Sequence, residues 1–238
     1  MNQEITEEEI SLHNRLYQEG WKLIEGEIHI HGGRPLAKPG WFAQRKLKKA
    51  ISLFEQTLQI APANWSAMWI MGKIYQRMGD DATALEWFTQ AHRIKRTNPD
   101  VAREAALCAM NLGRAKEAVE FSAAAIELKP NDSGLVANLA LALLLDNKPQ
   151  EAKQKAEVAV SANPSDVVSV NVLRLINDVI SGRRPGNCAK VNHEHQTEFP
   201  ILICIPMPSG FECRNGHSEA KVAGAFQRQV HGSMARIS

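Results

Sequence analysis

Pro62, Pro130 and Pro164 lie on one 34-residue grid, and a fixed period of that length limits what the chain can fold into more than any other feature of its sequence. The remaining grid point is Arg96, with Pro99 three residues later. Twelve residues before the four grid points stand Ala50, Ala84, Ala118 and Ala152, a small residue each time, as two closely crossing helices require. Seventeen before the last three stand Gly79, Gly113 and Asn147, the residue types that tolerate a left-handed conformation at a helix end. One helical hairpin per period satisfies all three regularities. A lone hairpin cannot bury its apolar face, so each has to stack on the next.

The apolar positions inside the period carry a resemblance. Met68, Met71-Gly72 and Tyr75, followed by Ala84, Phe88 and Ala91, resemble the tetratricopeptide pattern, in which a large residue, Leu-Gly and Tyr mark a first helix and Ala, Phe, Ala and Pro a second. The next frame reads Ala102, Ala105-Ala106, Ala109, Ala118, Ser122, Ala125 and Pro130. The one after reads Val136, Leu139-Ala140, Leu143, Ala152, Ala156, Ala159 and Pro164. These are small-residue versions of the same mould. The resemblance implies an all-α fold, a right-handed α-solenoid of helical hairpins with repeats at 65–98, 99–132 and 133–166.

The first repeat, 6–64, is split. Thr6 followed by Glu7, Glu8 and Glu9 is a helix start with a capping box, and Leu16, Gly20 and Leu23 recur at helical spacing. Its second helix carries Ala50, Phe54 and Pro62. Between the two, residues 26–40 hold Gly26, Gly32, Gly33, Pro35, Pro39 and Gly40, which predicts an inserted loop. At the other end, residues 166–181 form an amphipathic stretch without a partner helix and are predicted to cap the array, stopped by Gly182 and Pro185. The repeat domain is thus expected over 1–185. Residues 186–238 break the grid with Pro200, Pro206, Pro208 and several glycines and are expected to form an irregular or disordered tail, with one alternating run at 199–207.

Composition excludes several classes. Lys plus Arg number 28 against 26 Asp plus Glu, so the global charge concentrates neither nucleic acid nor acidic lipid, and any such binding has to be local. No nucleic-acid or membrane partner is therefore expected. Residues 135–145 are the longest mostly apolar stretch, about half the roughly 20 residues of a membrane span, and predict a buried helix. The acidic start is unlike a presequence, and Cys108, Cys188, Cys204 and Cys213 form no CxxC pair, which points to the reducing cytoplasm. There is no GxxxxGK[ST], GxSxG, HExxH or GxGxxG, so no enzymatic chemistry is indicated.

The function expected is a non-catalytic adaptor or scaffold that binds a peptide or protein segment on the concave face of the array. The resemblance implies contacts from the first helix of each repeat, here Trp69, Lys73, Gln76, Arg77, Arg103, Leu107, Asn111, Asn138 and Leu141, although Leu141, Leu144 and Leu145 have packing against the capping helix as their alternative. Asn138 matches an Asn that the family uses to hold a peptide backbone. A carboxylate clamp is not reproduced, because Ile70, Glu104 and Asn138 occupy its positions. The polar, cationic end and the greasy end together suit a segment with an acidic part and an apolar anchor.

No cofactor or metal is expected. His29 and His31, with Glu25 and Glu27, make at most half a metal site, and His193, His195, Cys204, Cys213 and His217 have ligand chemistry at irregular spacing. Arg45, Lys46, Lys48 and Lys49 read as a solvated helix face. Two alternatives stand beside the adaptor: a scaffold for a metal or nucleotide site in the loop or tail, and a homo-oligomer joined through its apolar ends.

Overall fold

Local signals set the helix ends. Thr6 accepts from the Glu9 amide and Glu9 reaches back to the Thr6 amide, closing the capping box that starts α1 (Glu7–Ile24). In this computed structural model, residues 6–28 and 38–183 are described. They contain α2 (Trp41–Ile60), α3 (Trp65–Met78), α4 (Asp81–Ile94), α5 (Pro99–Asn111), α6 (Ala115–Leu128), α7 (Ser133–Leu145), α8 (Pro149–Ala162) and α9 (Val167–Ile180), with no strand among the described residues. Asn64, Asp80, Asn98, Asp132 and Asp166 cap α3, α4, α5, α7 and α9 through side-chain oxygens.

Consecutive helices pair as hairpins, α1 with α2, α3 with α4, α5 with α6 and α7 with α8. Each hairpin stacks on the next, and α9 covers α8 and α7. The result is an all-α helical-repeat solenoid. Gly79, Gly113 and Asn147 turn the chain with φ of +83°, +70° and +59°; Asn147 is the one non-glycine residue with positive φ among the described residues. These φ values explain the residue types found one period apart.

The crossing alanines Ala50, Ala84, Ala118 and Ala152 are fully buried. So are Phe54 and Phe88, each lying against a glycine of the preceding helix, Gly20 and Gly72. From Leu135 to Leu145 every residue of α7 except Asn138 is buried, so the helix is covered around nearly its whole circumference. Among the described residues no helix is long and apolar enough to cross a membrane. Of the expected insertion, residues 29–37, which include His29 and His31, lie outside the described residues, as do residues 184–238 with Pro185, the 199–207 run and the candidate ligands His193, His195, Cys204, Cys213 and His217.

Candidate functional site

The sixth position of each repeat frame holds Ile70, Glu104 and Asn138, and Ile70 is fully buried. Glu104 is only 4% exposed, a carboxylate where its counterpart is an isoleucine. Such a charge has to be compensated, because an isolated buried ion costs several kcal/mol, roughly.

The compensation comes from two helices. Lys73 Nζ and Gln76 Nε2 reach across from α3 to Glu104 Oε2, each at 3.2 Å. Arg103 Nη2 holds the other oxygen at 3.0 Å, while its Nη1 pairs with Asp100 at 3.0 Å. Lys73 also donates to Gln76 Oε1 at 3.0 Å. Burial alone pushes the Glu104 carboxyl up, but Lys73, Arg103 and the two donated hydrogen bonds outweigh it and hold the group below its ordinary value.

A second polar contact lies beside the first. Asn111 Nδ2 donates to Asp81 Oδ2 at 3.1 Å, and Gln76 Nε2 lies 3.7 Å from Cys108 Sγ. Burial raises the Asp81 carboxyl, and hydrogen bonds from Asn111 and Cys108 oppose that rise. Burial also raises the Cys108 thiol far above its ordinary range, with Asp81 and Glu104 adding to it, so this cysteine is kept as an unreactive thiol. Towards the N-terminus, Arg77 Nε donates to the Glu27 carbonyl at 2.8 Å and the Tyr17 hydroxyl meets Ser66 Oγ at 2.8 Å. Polar crosslinks therefore run from α1 through α3 to α5.

Residues 66–98 and 104–132 match the model of the tetratricopeptide repeat family. The chain carries tetratricopeptide repeats over those residues. Its fold is similar to a MamA protein at 15% identity and a TM-score of 0.60, over 73% of this chain and 85% of that one. It is also similar to a tetratricopeptide-repeat protein from Parabacteroides merdae, at 15% identity and a TM-score of 0.58, over 73% of this chain and 61% of that one. YrrB, described as a tetratricopeptide-repeat protein with an unusual peptide-binding site, aligns at 17% identity and a TM-score of 0.50, over 56% of this chain and 69% of its own. No curated protein matches the sequence.

Within this tetratricopeptide array, the residues expected to meet a partner fall into three groups. Lys73, Gln76, Arg77, Arg103 and Asn111 are already bonded within the chain; carboxylates neutralise Lys73 and Arg103, whereas Arg77 is held by a backbone carbonyl. Trp69 and Leu107 are half-buried and pack on the core, and the Trp69 indole N–H is buried without an acceptor. Asn138 is half-buried and its side chain makes no hydrogen bond among the described residues.

For Leu141 the packing alternative is the one observed. It is 5% exposed and belongs to the cluster that takes in Val172 and Ile176 of α9, as do Leu144 and Leu145. Its apolar surface closes the end of the core and is not available to a partner. Glu104 is the residue that pattern reading passed over as a site, although its place one period after a buried isoleucine was a signal. Among the described residues no group of three metal-ligating side chains comes together.

Proposed function

We propose that the array is a non-catalytic adaptor that holds a protein segment on the face formed by α3, α5 and α7. One observation carries the reading: Asn138 offers an unpaired amide at the repeat position where its counterparts are buried or bonded, Ile70 and Glu104. An asparagine amide has both a donor and an acceptor, the pair needed to bridge one peptide unit of an extended backbone. Half-buried Leu107 and Trp69 supply apolar contact on the same set of first helices.

The internal pairing of Lys73 and Arg103 changes the expected partner. With Glu104 and Asp100 already on those cations, an acidic segment gains little from them, and the favoured ligand is an uncharged extended segment with one apolar anchor. The fold shared with YrrB, whose description names a peptide-binding site, is consistent with that reading.

Selection from a displayed peptide library against the full chain tests it. The selected peptides should lose about tenfold in affinity with Asn138→Ala, or about 1.4 kcal/mol. Leu107→Gln should weaken them similarly, with the melting temperature followed in parallel. No enriched peptide, or equal affinity for parent and variants, rejects this face as the site.

A further inference from the structure

From residue 28 to residue 54 the sequence contains no Asp or Glu and six basic residues, Arg34, Lys38, Arg45, Lys46, Lys48 and Lys49. The rest of the chain is acidic, 22 Lys plus Arg against 26 Asp plus Glu. Charge that looks balanced over the whole chain is therefore concentrated in one segment, and the first half of α2 lies inside it.

On α2 these cations share a side with two aromatic rings. Successive residues turn by about 100° around a helix, which puts Arg45, Lys48 and Lys49 on the same side as Trp41. Leu47, Ala50 and Phe54, all fully buried, take the opposite side. Trp41 is 65% exposed and Phe42 75%, the two most exposed aromatic rings among the described residues. Their rings meet edge to face at 4.7 Å, and the Arg45 guanidinium lies 5.8 Å from the Trp41 ring centroid. Lys46 is paired with Glu27 at 2.9 Å, whereas Lys48 and Lys49 are exposed and have no ion-pair partner among the described residues.

We propose that this aromatic and basic end of α2 adsorbs to an anionic lipid surface. Projecting tryptophan and phenylalanine rings enter the boundary between headgroups and acyl chains, and lysine and arginine stems lie along it with their charges on lipid phosphates. The rings stand out from the helix, and a bilayer interface takes them without a matching pocket. Adsorption of this kind needs no membrane-spanning helix. It replaces the expectations of a solvated helix face and of no membrane partner, and it does not depend on the peptide-binding reading.

The test mixes the full chain with phosphatidylcholine vesicles, plain or with roughly one third phosphatidylserine, and measures partition by flotation. Partition onto the anionic vesicles should exceed that onto plain ones by about tenfold or more and fall as salt is raised. Lys48→Glu with Lys49→Glu should abolish the preference, and Trp41→Ser with Phe42→Ser should cut partition about tenfold, with the helical circular dichroism unchanged. No partition, equal partition onto both vesicles, or full partition of the charge-reversed variant overturns the proposal. Binding to soluble polyglutamate without vesicle binding also overturns it and assigns the surface to an acidic protein.

Discussion

The two N-terminal hairpins and the two that follow them fill the same crossing in opposite ways. In α1/α2 and α3/α4 a glycine faces a phenylalanine: a Cβ on Gly20 would lie 3.0 Å from the Phe54 ring, and one on Gly72 only 2.5 Å from Phe88. One and two periods after Gly72 and Phe88, the pairs become Ala106 with Ser122 and Ala140 with Ala156, all buried. The first solution inserts a large ring into a gap left by a missing side chain. The second brings two small-residue faces together, which favours close helix approach. The repeat thus constrains the pair, and neither member alone.

Phe88→Ala is the most severe way to break this comparison. Phe88 is fully buried and Gly72 supplies no atoms to collapse into the space, so unfolding should cost about 3–5 kcal/mol less. Ala156→Gly, at the same repeat position, should lose only about 1 kcal/mol, from helix propensity. Urea unfolding followed by circular dichroism compares the two. Similar losses would show that the ring is not what holds the N-terminal hairpins together.

The next contrast is between the polar α3–α5 stack and the apolar α7–α9 end. Glu104→Gln leaves Lys73 and Arg103 facing each other without the intervening charge and should destabilise by about 2 kcal/mol at neutral pH, less than for a fully buried pair because Arg103 keeps Asp100. Because the folded carboxyl lies below its ordinary value, its stabilisation is present above the unfolded value of about 4.3 and is lost as the pH falls through the folded one. Between neutral pH and about pH 3, the parent should therefore lose more stability than Glu104→Gln. Parallel pH profiles would remove Glu104 as the titrating group.

How much of this was legible follows from which interactions repeat. The turns at Gly79, Gly113 and Asn147, the buried alanines and the capping box at Thr6 were readable because each is a local requirement on one residue type. The enclosure of α7 was readable too, since a helix apolar all round has to be covered, and that favours the core over a partner for Leu141. The neutralised site was not readable. Glu104 meets Lys73 and Gln76 across a hairpin boundary, and the sequence pattern does not distinguish a cation facing solvent from one turned onto a neighbouring repeat. Trp41 and Phe42 were hidden for a related reason: a helix start after a breaker-rich segment gives no sign of which side packs.

Gly72→Ala sharpens the crossing argument with a smaller perturbation. Alanine improves helix propensity by about 1 kcal/mol, but its Cβ would press on a ring with no room to move, at a cost of about 1–3 kcal/mol. The expected net result is a loss of about 1 kcal/mol in unfolding, whereas Gly20→Ala, whose Cβ contact would be 3.0 Å, should come out nearer to neutral. If both variants gained stability, the glycines would be incidental.

The smallest effect is expected at Ser122, and its sign carries the information. Ser122 is 2% exposed and its hydroxyl has no hydrogen-bond partner among the described residues, although it stands where Phe54 and Phe88 put rings and Ala156 a methyl group. A buried hydroxyl without a partner pays desolvation and gains nothing, so Ser122→Ala should leave stability unchanged or raise it by up to about 1 kcal/mol. Loss of more than about 1 kcal/mol would mean that the hydroxyl has found an acceptor and that the α5/α6 crossing depends on a hydrogen bond. Stability unchanged or raised would place Ser122 with Ala156 as small-residue packing, and make volume the property the two kinds of hairpin share.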